Sequence, residues 1–188
     1  MALAFLAGRA RRVLAAAVLS AFAYGCTEDL KGPCPFVRIP STLATVTKFD
    51  GPADPKNVVY QARIADVALQ CTYAEQRSAQ LPRGGVAVDE MEVLLKVKIA
   101  ATGGPKARGN AAEGRFFVAV TDLREVILDR AEFPLRLNLG QGNRAATTDE
   151  EAYMLFRLQG KTGAAFRIFT GFQLSPEETA YNRKLLAN

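Results

Sequence analysis

The stretch MEVLLKVKI, residues 91–99, puts Met91, Val93, Leu95, Val97 and Ile99 at alternate positions and Glu92, Lys96 and Lys98 between them. Successive side chains of a strand point to opposite faces, so this spacing predicts a strand with one face in a core and the other in water. The pattern recurs in both directions along the chain. Tyr60, Ala62 and Ile64 alternate with Gln61 and Arg63, and after Ala65-Asp66 the apolar parity moves to Val67, Leu69, Cys71 and Tyr73. A parity change inside one apolar run predicts a bulge or tight turn at that dipeptide. Ala131, Phe133, Leu135, Leu137 and Leu139 alternate with Arg130, Glu132, Arg136 and Asn138, and Phe166, Ile168, Phe172 and Leu174 repeat the pattern. Residues 116–121 and 152–158 add two strands that are apolar on both faces.

Turn chemistry separates these runs at Asp50-Gly51-Pro52, Pro82-Arg83-Gly84-Gly85, Gly103-Gly104-Pro105, Gly140-Gln141-Gly142-Asn143 and Gly160-Lys161-Thr162-Gly163. No helical pattern of 10 to 15 residues lies between the strands, which argues against βαβ units. The expected fold is all-β, an antiparallel sandwich of about seven strands. One helix is expected at the end of the chain, over about 176–186. There Ser175-Pro176-Glu177-Glu178 supplies an N-cap serine, proline at the first helical position and a capping-box glutamate.

The N-terminal segment carries a different message. Arg9, Arg11 and Arg12 precede the apolar run Val13 to Ala23, the order of a secretory signal peptide, and that run is too short to span a bilayer. The chain has 24 basic and 19 acidic residues, a formal charge of +5. Without the three arginines, which belong to a segment lacking acids, 21 basic residues face 19 acidic ones and the charge falls to +2. A nucleic-acid partner therefore loses its electrostatic footprint, and no recognition motif replaces it.

Ala23-Tyr24-Gly25-Cys26 resembles a bacterial lipobox, in which a small residue precedes a cysteine that is lipidated and becomes the mature N-terminus. It departs from the usual pattern at Ala23, where leucine is commoner, and at the large Tyr24. The resemblance implies a signal peptide over 1–25, lipidation of Cys26, a short tether over 26–34 and one sandwich domain over 35–188. The alternative is an ordinary secreted protein with Cys26 free or paired. Three cysteines in an exported chain leave one over, and lipidation of Cys26 frees Cys34 and Cys71 to pair in an oxidising compartment; two buried free thiols are the other possibility. The eight residue steps from Cys26 to Cys34 span at most about 28 Å, so the domain is expected to work close to its own membrane. Thr27, not aspartate, follows Cys26 and resembles the signal for forwarding to the outer membrane, with the domain facing the periplasm.

The chain contains no histidine, which excludes Ser-His-Asp and Cys-His arrangements, and none of Ser20, Ser41, Ser78 and Ser175 has lysine three residues later. Asp149-Glu150-Glu151 reads as a solvated turn, Asp50 and Asp54 as turn caps, and the loop Gly103 to Gly109 as a flexible hairpin connection. No catalytic residue, metal ligand set or cofactor is assigned, and a non-enzymatic role is expected. The candidate partner surface is a set of apolar residues on outer strand faces: Phe117 with Ala119, Tyr153 with Leu155, and Phe169. The competing expectation is that the C-terminal helix covers them with Tyr181, Leu185 and Leu186, or that their strands are covered on both faces.

Cys34-Pro35 with Val37-Arg38-Ile39-Pro40, Thr47 to Gly51, Val67 to Cys71, and Gly171 to Glu178 with Tyr181-Asn182-Arg183 together resemble an uncharacterised group of small alphaproteobacterial envelope lipoproteins. That resemblance implies location and no catalytic residues. The expected function is a lipid-anchored envelope protein with a structural or interaction role toward an envelope partner, against a carrier for an apolar ligand.

Overall fold

A computed structural model describes residues 32–76, 87–109, 111–139 and 145–187. The signal segment and Cys26 lie outside these residues, as do the expected turns Pro82 to Gly85 and Gly140 to Asn143.

Eight strands are present: β1 (Phe36–Arg38), β2 (Thr45–Phe49), β3 (Val58–Gln76), β4 (Ala87–Gly103), β5 (Ala111–Asp122), β6 (Ile127–Asn138), β7 (Ala146–Arg157) and β8 (Phe166–Phe172). One helix, α1 (Pro176–Leu186), follows them. The strands form two four-stranded sheets in the orders β1-β8-β5-β6 and β2-β3-β4-β7. Every pairing is antiparallel except that of β1 with β8. The all-β sandwich expected from the alternation is therefore the fold, with β1 and β2 as short strands that the pattern did not reveal.

The core follows the alternation residue by residue. Met91, Val93, Leu95, Val97 and Ile99 are all buried, while Glu92, Lys96 and Lys98 face water. Long β3 keeps its apolar side inward by shifting register between Ile64 and Asp66, where the parity change placed a bulge. The Val67 amide donates to the Asp66 carboxylate there at 2.9 Å. From the other sheet come Phe116, Val118, Leu135, Leu137, Ile168 and Phe172. The two layers meet at Phe156 and Phe166, whose ring centroids lie 5.2 Å apart. The buried Tyr60 hydroxyl also bridges the sheets, donating to the Glu113 carbonyl. Burial, then the charges of Glu178 and Glu113, push that hydroxyl's pKa up.

Cys34 and Cys71 form a disulfide with Cα atoms 5.8 Å apart, within the usual range. Two residues on, Tyr73 reinforces it: its hydroxyl donates to the Pro33 carbonyl at 2.6 Å and accepts from the Gly163 amide at 3.0 Å. The start of the domain is thus fixed both to β3 and to the β7–β8 connection.

Helix α1 has the predicted capping box, with Glu178 N–H donating to Ser175 Oγ at 3.2 Å and Ser175 N–H to Glu178 Oε2 at 2.8 Å. It packs on β2 and the 3-10 turn Ser41–Leu43, with Tyr181 edge-on to Phe49 at 4.9 Å. Leu185 and Leu186 are exposed.

Candidate functional site

The five proposed outer-face residues separate into two groups. Phe117 is 9% exposed and Ala119 is buried, which removes both from any free surface. Leu43, from the 3-10 turn, stands over Gly171 beside the Phe117 ring, and the Arg130 guanidinium lies 4.9 Å from that ring's centroid. Arg130 is held there by Glu132 at 3.2 Å and Gln173 at 2.5 Å. Phe169 is half-buried.

Tyr153 and Leu155 are exposed, at 75% and 59%. They sit on β7, where Ala152 and Phe156 turn into the core and the alternate residues turn outward. β7 pairs with β4 so that Tyr153 lies opposite Leu94 and Leu155 opposite Glu92. On that outer face a shallow groove of about 490 Å³ runs past Gln70, Thr72, Glu92 and Leu94 to Tyr153 and Leu155.

On its other side the same stretch borders a cleft of about 350 Å³, where the sheets part between β6 and β7. Val118, Val120, Phe133, Met154, Phe156 and Phe166 give the cleft apolar walls. Its opening has a local cause. The β5–β6 register shifts between Val120 and Thr121, and the first half of β6 is left uncovered, so that Leu128 is exposed across the cleft from Tyr153 and Leu155. Leu123, Val126 and Ile127 extend this exposed apolar lip around the β5–β6 turn. The alternation that revealed β6 began at Arg130, so this lip escaped sequence reasoning; the run Val126-Ile127-Leu128 was its available signal.

Electrostatics at the rim are simple. Glu151 accepts from Lys96 Nζ at 2.9 Å and from the Tyr153 hydroxyl at 3.0 Å. The hydrogen bond from Lys96 is the main cause that lowers the Glu151 pKa, while the bond to Glu151 raises that of Tyr153. Asp149, Glu150 and Glu151 lie inside β7 and not in a turn before it, because Lys98 and Lys96 oppose Asp149 and Glu151 on β4. Asp54 caps the 3-10 turn Pro55–Asn57, accepting from the Lys56 amide at 2.8 Å, and Asp50 pairs with Arg108 at 2.7 Å. The Gly104 and Lys106 amides donate to the Val59 and Val58 carbonyls, so the glycine-rich loop spends these donors on β3.

Among the described residues there is no cluster of three His, Cys, Asp or Glu with metal-ligand geometry, and no helix is long and apolar enough to cross a membrane. Glu178 is the one buried carboxylate among them; it caps α1 and pairs with Lys48 at 2.5 Å. The arrangement can bury apolar surface at the β7 rim and in the cleft beside it. No protein-family model matches the chain, and no curated protein or solved structure matches it either.

Proposed function

We propose that this chain is a lipid-anchored protein of a bacterial envelope, attached through Cys26 to the outer membrane with its sandwich facing the periplasm. It acts without catalysis, by holding an envelope partner against the β7 rim. One observation carries the interaction role: Tyr153 and Leu155 are large, adjacent on one strand face and mostly exposed, with apolar concavities on both sides. Isolated exposed apolar residues are ordinary, whereas a contiguous patch marks an interaction surface. The Cys34–Cys71 bond and Tyr73 favour the anchored reading, since they fix the domain's start a few residues after Cys26.

The test is in cells. A photo-crosslinking residue at Leu155 should capture a partner in the membrane fraction. Cys26→Ser should lose both the lipid, read as the mass of the N-terminal peptide, and membrane residence. A soluble chain with an unmodified N-terminus would overturn the anchor, and absence of any crosslink would overturn the rim as a partner surface.

The cleft favours a second reading, a carrier for an apolar ligand. Its volume and apolar walls fall in the range of small-molecule sites. Native mass spectrometry of the purified chain should then find bound lipid, displaced by Met154→Trp, which fills the cleft.

A further inference from the structure

We infer that β7 is a self-association strand, and that two copies of this chain join edge to edge through it, antiparallel about Tyr153. This names the partner of the rim and rests on the reading of that rim as an interaction surface.

The first argument is the state of the sheet edges. An edge strand offers unpaired N–H and C=O groups to any second strand, and proteins blunt such edges by shortness, proline, bulges or inward charge. β1 has three residues and β2 five. β6 has twelve, but it carries Pro134, a register shift against β5, and Asp129 opposite Val120 on its core-side face. β7 also has twelve residues; it carries one charge on its core-side face, Glu150 opposite the buried Val97, but none of the other devices. It contains no proline or lysine, and its register against β4 runs from Glu90↔Arg157 to Ala101↔Ala146 without a shift. Among the described residues its other edge has no main-chain partner.

The second argument is the order of charge along the outward face. Asp149 and Glu151 come first, Tyr153 and Leu155 next and Arg157 last. Acid, apolar, base is a pattern complementary to itself when reversed. Placing Tyr153 opposite Tyr153 of a second copy overlaps residues 149–157. It sets each Asp149 against Arg157 of the other copy and each Glu151 against Leu155, a two-fold interface in which the same patch serves both sides. Arg157 has no ion pair among the described residues, and Asp149 is held only by its 4.0 Å pair with Lys98, which it would share with Arg157 of the other copy. An unrelated strand would match this order by coincidence; a second copy matches it by identity.

The experiment is sedimentation of the full-length chain in density-matched detergent. The natural chain should sediment as a dimer. Asp149→Arg and Arg157→Asp place like charges opposite one another twice per dimer, and each should weaken association roughly tenfold. The combined variant restores opposite charges and should recover affinity to within about threefold. Both positions are exposed, and circular dichroism confirms that each variant is folded. A monomer at all concentrations, or single swaps without effect, would overturn the dimer. The Leu155 crosslink separates this outcome from failure of the rim itself. A product of twice the chain mass supports self-association, a product with a different protein overturns it and leaves the rim a partner surface, and no product overturns both.

Discussion

The Asn182 side-chain amide donates to the Thr45 carbonyl at 2.7 Å and to the Thr42 carbonyl at 2.9 Å, from a position on α1 that is itself buried. One side chain thereby bonds two main-chain acceptors, one in the 3-10 turn and one at the start of β2. It also fixes the helix over the 3-10 turn whose Leu43 stands against Gly171. Asn182→Ala leaves both half-buried carbonyls without this donor and should cost about 1–3 kcal/mol. Denaturant unfolding would show it as a lower midpoint with an unchanged slope.

The disulfide closes a separation of 37 residues between Cys34 and Cys71. In the chain-entropy account, a loop of that length contributes about 4 kcal/mol by restricting the unfolded chain. Replacing both cysteines by alanine should remove most of that stability and make unfolding insensitive to reductant. The natural protein should lose a comparable amount on reduction, and its intact mass should lie about 2 Da below that of the reduced chain, for the two thiol hydrogens lost in the bond.

Gly171 permits the close approach of the Leu43 turn to β8. A Cβ at that position would stand 2.7 Å from Leu43 Cβ and 3.2 Å from the Phe117 ring. Gly171→Ala must push the 3-10 turn outward, an overpacking expected to cost about 1–3 kcal/mol. The same displacement should raise hydrogen exchange around Ser41–Leu43 while leaving β4 protected, a difference that separates local lifting from general loss of stability.

What the sequence revealed was what neighbouring residues decide. The β4 alternation, the parity change at Ala65-Asp66 and the capping box at Ser175 each act within a few positions, and each appears where the pattern put it. β2 was hidden because Val46 and Thr47 are adjacent and both buried, which erases alternation. Asp149 to Glu151 resembled a turn because the lysines that accommodate them lie some fifty residues earlier, on β4. Of the candidate surface, Tyr153 and Leu155 stand exposed, while Phe117 does not. The Arg130 guanidinium lies over its ring and Leu43 stands beside Gly171 next to it, relationships between strands and turns to which no local periodicity points.

Acid should weaken the β5–β6 turn through Asp122. Its carboxylate accepts the amides of Arg124 at 2.8 Å and Val126 at 3.0 Å and pairs with the Arg124 side chain at 3.4 Å. Chiefly the bond from the Val126 amide, with help from Arg124, holds its pKa below the ordinary 3.8. A carboxylate with a lowered folded-state pKa adds stability at pH values above its unfolded pKa and loses it as pH falls through the lowered value. Asp122→Asn keeps an acceptor without the charge. The natural protein should therefore melt above this variant at neutral pH, and the gap should close as pH drops below about 4. Because main-chain amides dominate, moderate salt should leave most of the gap in place, whereas an effect carried by the Arg124 pair would be screened. A gap that widened in acid would assign the turn's stability to a group other than Asp122.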